Sequence, residues 1–92
     1  MVRSEVLSSR EPVPRYRMLI RPYARPAPGG HRAFYWLTRG DGTGIDRVID
    51  RGEGLRARMR IERFLRRLVE HEIGAEARLA AQALYGGWEQ RP

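Results

Sequence analysis

The sequence predicts an α+β fold: a small three-stranded antiparallel sheet followed by a long or broken C-terminal helix packed on one sheet face (βββα or βββαα). Three observations predict it. Residues 15–23, RYRMLIRPY, alternate apolar and basic side chains with period two. A second β-rich run, HRAFYWLTR at 31–39, leads into GDGTG at 40–44, whose three glycines and Asp-Gly pair are a short-range hairpin signal. From Leu55 onward helix formers dominate and no proline occurs before Pro92. Ninety-two residues without an internal repeat make one domain, near the lower limit for a core built without disulfides or metals. The expected boundaries are a flexible arm over 1–14, the domain over 15–87 and a tail over 88–92.

The arm contains Ser, Arg, Glu, Pro12 and Pro14 with few large apolar groups. In the first strand Tyr16, Met18 and Ile20 share one face, and Arg15, Arg17, Leu19 and Arg21 share the other, giving a basic outer face. RPAPGG at 25–30 ends that strand, because Pro26 and Pro28 donate no ladder hydrogen bond and the glycines permit a turn. Ala33 to Leu37 is unbroken apolar sequence, so both faces of the second strand are expected to be covered. IDRVIDRG at 45–52 is the return strand. Its apolar residues Ile45, Val48 and Ile49 do not alternate, which calls for a bulge or a short helical turn.

At about 100° per residue, Ala57, Phe64, Leu65, Leu68 and Val69 gather within roughly 80° of Ile61, and Arg56, Arg60, Arg63, Arg66 and Arg67 collect on the opposite side. Glu62 precedes Arg66 by four residues and Arg66 precedes Glu70 by four, both helical ion-pair spacings. Gly74 interrupts the pattern, but Ala75, Leu79 and Ala83 resume its phase, so one helix to Tyr85 and two segments with a break are both compatible. Gly86 and Gly87 mark the stop.

The net charge is +7, from 18 arginines and no lysine against 11 acids. Residues 1–39 hold eight arginines and two glutamates, residues 40–54 two arginines and four acids, and residues 55–74 six arginines and three glutamates. Two basic regions therefore flank an acidic hairpin, a bias that favours anionic partners. The absence of lysine has two readings, GC-rich coding and the chemistry of the guanidinium. The chemistry follows regardless: a guanidinium makes planar bidentate contacts to phosphate and carboxylate. Absence of cysteine excludes disulfides, thiolate nucleophiles and cysteine-ligated zinc. The N-terminal residues lack the apolar stretch of a signal peptide, and no run reaches the roughly 18 apolar residues of a membrane span. A cytoplasmic protein without a membrane partner is the expectation.

Arg56, Arg60, Arg63 and Arg67 project along one helical face over about three turns, a spacing suited to a phosphate backbone. Arg56 with Arg60 and Arg63 with Arg67 are like-charged neighbours four residues apart, an arrangement that a bound anion would relieve. The plain alternative is a solvated helix face. Phe34, Tyr35 and Trp36 suggest a base-stacking platform, but adjacent strand residues point to opposite faces. If Phe34 and Trp36 face the helix, Tyr35 stands outside beside the basic side chains. In the reversed register two rings are exposed. Core packing of most of these rings is the stronger expectation in a domain short of large apolar residues.

Other constellations fail. No GxGxxG or Walker sequence is present. A calcium loop that places Gly44 at the invariant glycine puts Arg39 at the first ligand position. The adhesion-like tripeptide Arg39, Gly40, Asp41 is coincidental in a cytoplasmic protein. Asp46, Asp50 and Glu53 have Arg47 and Arg51 beside them as neutralising partners, against a magnesium cluster. His31, His71 and the arm serines Ser4, Ser8 and Ser9 are too scattered for a nucleophile and base.

The expected function is a small, basic, non-enzymatic binding module, without metal or cofactor. Its basic surface combines Arg15, Arg17 and Arg21 with Arg56, Arg60, Arg63, Arg66 and Arg67, with Tyr35 alongside. It would contact DNA or RNA mainly through phosphates, without sequence specificity. The alternative is a protein-interaction or inhibitor module of phage or mobile-element type, which sets the same arginines on an acidic partner and blocks a host nucleic-acid-processing or defence complex. Some nucleic-acid-binding modules share the element order, a likeness of layout that does not fix function. The sequence sets no oligomeric state and is compatible with a homodimer.

Overall fold

Alternation in the first strand decides which side of the sheet is covered. The computed structural model describes residues 13–23 and 32–91; the first twelve residues of the arm expected over 1–14, the turn at 25–30 and His31 lie outside them. Strand β1, Arg15–Pro22, pairs antiparallel with β2, Ala33–Gly40, setting Met18 opposite Leu37 and Ile20 opposite Tyr35. Tyr16, Met18 and Ile20 thereby share a face with Ala33, Tyr35 and Leu37. That face is the floor of the core.

Strand β3, Asp46–Glu53, pairs antiparallel with β2. Leu37 is opposite Asp50 and Thr38 is opposite Val48, so Ile49 is the extra residue of a bulge, one of the two outcomes its irregular spacing allows. The GDGTG turn is held by Asp41, whose Oδ1 accepts from the Thr43 N–H at 2.8 Å and from the Thr43 hydroxyl.

β3 runs into helix α1, Gly54–His71, without a loop. The corner needs φ of +85° at Gly54, a conformation that costs glycine little. At Gly52 a Cβ atom would stand 2.8 Å from the Ala57 Cβ, so absence of a side chain there lets the helix settle onto the strand. Ala57, Ile61 and Leu65 are the buried positions of α1, as the 3.6-residue pattern predicts. Phe64 sits at the margin of that stripe, edge-on to Tyr16 with ring centroids 6.4 Å apart, and stays partly exposed.

The helix breaks at Gly74, and α2, Ala75–Gly86, folds back against α1 and β1. A continuous helix over both segments would reach about 50 Å, nearly twice the ~27 Å of an eight-residue strand, and would carry Ala80 and Ala83 past the sheet. The break buries both instead. At the far end the Gly87 N–H closes on the Ala83 carbonyl at 3.0 Å.

Residues 88–91 are not a free tail, contrary to the sequence expectation. Strand β4, Glu89–Gln90, pairs parallel to β1 and completes a sheet of order β3-β2-β1-β4. The Arg91 N–H donates to the Ile20 carbonyl at 2.9 Å. Trp88 packs edge-on to Tyr35 at 5.0 Å between centroids and donates its indole N–H to Glu62 Oε1 at 3.1 Å. Two paired residues are too few to show a strand period. Among the described residues no helix is long and apolar enough to cross a membrane.

Candidate nucleic-acid interface

The arginines of α1 divide between two flanks of the helix. On the side toward α2, Arg58, Glu62, Arg66 and Glu70 follow one another at four-residue steps along an open cleft of about 610 Å³. Arg58 Nε donates to Glu62 Oε1 at 3.0 Å, and Arg66 Nη2 lies 3.9 Å from Glu62 Oε2. The Arg58 guanidinium also lies over Trp88 and Tyr35, at 5.7 and 5.9 Å from the ring centroids. Burial opposes ionisation of Glu62, but the bonds from Arg58 and Trp88 outweigh it and hold the carboxyl below its ordinary range. Arg66, expected with the other arginines, thus belongs to this charge-balanced side.

Arg56, Arg60, Arg63 and Arg67 form the flank toward β3, and all four are exposed. Arg60 is engaged: Nε and Nη2 clamp the Asp50 carboxylate at 2.7 and 3.0 Å, and Nη2 also donates to the Arg51 carbonyl at 3.2 Å. The clamp holds Asp50 below the usual carboxylate range. Among the described residues Arg56, Arg63 and Arg67 have no ion-pair partner. They span about 16 Å along the helix axis. Arg60, Arg63 and Arg67 border a shallow depression of about 310 Å³ with Ile49, Asp50 and Phe64.

Arg15, Arg17 and Arg21 do not join this surface. Tyr16, Met18 and Ile20 face the helices, so the arginines between them point from the opposite side of the sheet. The single basic surface expected from the sequence is therefore two surfaces. Arg17 is further occupied, with Nε donating to Glu89 Oε2 at 2.8 Å and Nη1 lying 3.6 Å from Asp46 Oδ2. Arg15 and Arg21 are exposed.

Tyr35 cannot serve beside the arginines. Its register opposite Ile20 turns it into the core, where it is 8% exposed under Trp88 and Arg58. Phe34 and Trp36 take the outer face instead, the reversed register of the two considered, so β2 is not covered on both sides. Arg51, opposite Trp36 on β3, joins them there. Sequence reasoning assigned Arg51 only to neutralising nearby acids, and the register of β2 against β3 was the missing signal.

At the opposite end of the sheet's inner face, Glu76 of α2 accepts from the Tyr16 hydroxyl at 2.6 Å and from Arg39 Nη2. The bonds from Arg39 and Tyr16 lower the Glu76 pKa. Burial, followed by the Glu76 hydrogen bond, raises that of Tyr16. These three side chains tie α2 to both central strands, and each is occupied by the others. Among the described residues no group of three or more His, Asp or Glu side chains is placed to hold a metal ion. No family model matches the chain, and the searches of curated proteins and of solved structures likewise found no match.

Proposed function

We propose that this protein binds nucleic acid through phosphates, with Arg56, Arg63 and Arg67 as the contacts on the β3 flank of α1. The observation that carries this reading is a contrast in charge satisfaction. Arg17, Arg39, Arg58 and Arg60 all have carboxylates within hydrogen-bond distance. On the β3 flank three exposed guanidiniums stand along about 16 Å of a rigid helix with none among the described residues. Phosphates would supply what the protein does not. Arg60 is then a positioning residue, which locks the helix to β3 through Asp50.

The testing experiment is a salt titration of binding to mixed-sequence duplex and single strands. Each phosphate contact contributes a slope of about −0.9 in log K against log salt on duplex, or about −0.7 on single strands. Arg56→Gln, Arg63→Gln and Arg67→Gln should each weaken binding and flatten the slope by close to one unit, uniformly across sequences. Absence of binding below about 10 μM at low salt rejects the reading, since non-specific binders reach about 10⁻⁴ to 10⁻⁶ M even at physiological salt.

A second reading has its own support. Leu55 and Met59 are exposed on the solvent side of α1, beside these arginines. Apolar side chains bordered by arginine suit an acidic protein partner, as an inhibitor module would require. Leu55→Ser and Met59→Ser should leave nucleic-acid affinity unchanged under the first reading. Under the second they should weaken the partner complex as much as loss of Arg63 does.

A further inference from the structure

The outer face of the sheet carries a second constellation, separate from α1. Phe34 and Trp36 point away from the helices from alternate positions of β2, about 7 Å apart along the strand. Each ring has an arginine opposite it on one side: Arg21 of β1 is opposite Phe34, and Arg51 of β3 is opposite Trp36; on the other side Phe34 is opposite Glu53 and Trp36 is opposite Leu19. Together with Val48 they line a shallow depression of about 260 Å³. Phe34 is 40% exposed and Val48 51%, whereas Trp36 is half-buried. Tyr23 stands edge-on to Phe34 with centroids 5.8 Å apart, and its hydroxyl donates to Glu53, which fixes the ring at the border. Among the described residues neither Arg21 nor Arg51 has an ion-pair partner.

The residue types select one class of occupant. In a duplex the flat faces of the bases are hidden in the stack, whereas a single strand presents both base faces and phosphates. An acidic peptide would satisfy the guanidiniums but leave the rings in water. A neutral apolar partner would bury the rings but strand two charges. A single strand matches both, with bases for the rings and phosphates for the arginines on either side. We propose that the outer sheet face binds single-stranded nucleic acid, with bases stacked on Phe34 and Trp36 and the flanking phosphates held by Arg21 and Arg51. The proposal shares its ligand class with the reading above, but none of its residues.

The test uses the full chain and a labelled oligothymidylate of about a dozen nucleotides, with a mixed-sequence duplex and polyglutamate as comparison ligands. Trp36→Leu keeps apolar bulk and removes the aromatic face. It should weaken single-strand binding roughly 5- to 150-fold, the range for loss of one base–ring stack, and leave duplex binding unchanged. Trp36→Phe should restore most of the loss. Arg21→Gln and Arg51→Gln should each flatten the single-strand salt slope by about 0.7. Thermal melts of Arg21→Gln and Arg51→Gln should match the parent, because neither side chain belongs to the core; Trp36→Leu should melt lower, since Trp36 is half-buried opposite the buried Leu19, so its binding is read on the folded protein. If a leucine variant failed to fold, the arginine variants would carry the test.

Unchanged oligothymidylate affinity in Trp36→Leu, beside a loss in Arg63→Gln, overturns the platform and leaves the helix reading standing. The reverse pattern overturns the helix reading and keeps the platform. Polyglutamate binding that falls in Arg21→Gln and Arg51→Gln, while single-strand affinity ignores Trp36, marks an acidic-protein surface and overturns the proposal.

Discussion

Two flanks of one helix both carry arginine, two residues toward α2 and four toward β3, and differ in how much of that charge is answered. Toward α2, arginine and glutamate alternate from Arg58 to Glu70, and the carboxylate of Glu62 is shared by Arg58, Arg66 and the Trp88 indole. Toward β3, the residues at 56, 60, 63 and 67 are all arginine, and among the described residues only Asp50 answers any of them. The first flank is a joint between elements. The second is a charged edge that the described residues leave largely unpaired. Arginine content alone therefore says little about binding here; what matters is whether each guanidinium already has a carboxylate.

The largest expected effect defines the stripe between the flanks. Leu65 is fully buried, so Leu65→Ala should cost about 2 to 5 kcal/mol of stability, whereas Arg63→Ala should stay within about 0.5 kcal/mol. Equal small losses in chemical denaturation would dissolve the distinction between core and flank. Next in size is the seat of the helix. Gly52→Ala forces a methyl against Ala57 and should cost about 1 to 3 kcal/mol, and it should also disturb the Arg60 clamp. Wild-type stability in that variant would show that α1 is not held close to β3.

On the joint flank, Glu62→Gln should lower stability by on the order of 1 kcal/mol, because Arg58 and Arg66 lose their shared carboxylate. The pH dependence sharpens the same contrast. Glu62, Asp50 and Glu76 all have folded-state pKa values below their ordinary range. Depressed carboxyl groups contribute stability that is fully present above the unfolded value, near 4, and is lost as the pH falls through the folded values. Acid melts should therefore steepen below about pH 4, and Glu76→Gln should flatten that limb. A melting temperature insensitive to acid would deny these pairs any role. The smallest difference lies within the β3 flank. Arg60→Gln should lower the melting temperature slightly, while Arg67→Gln leaves it unchanged and reduces only ligand binding.

Much of the fold is legible in the sequence, because β1 and α1 each repeat a single period long enough to read. Tyr16, Met18 and Ile20 specify the covered face of the sheet, and Ala57, Ile61 and Leu65 the covered face of the helix. β2 is different. Its rings lie on both faces, so pattern alone could not say whether Tyr35 or its neighbours Phe34 and Trp36 look inward. Pairing with Ile20 decides it. The separation of strand and helix arginines is implied by β1 itself, since covering one face of a strand aims the other away, and the expected joint surface overlooked that. Arg60 and Arg63 look alike in sequence because the partner that distinguishes them, Asp50, sits on another element. β4 left no periodic trace, though Trp88 amid small and polar residues was a hint of burial.

Pairing of Leu19 with Glu89 joins positions separated by roughly 70 residues of chain. Such a long-range closure cannot form early during synthesis, because β1 leaves the ribosome long before its β4 neighbour exists. Until then one edge of β1 is an open row of backbone donors and acceptors, the kind of edge along which chains associate. Trp88 and the two residues after it thus act as a late latch on that edge.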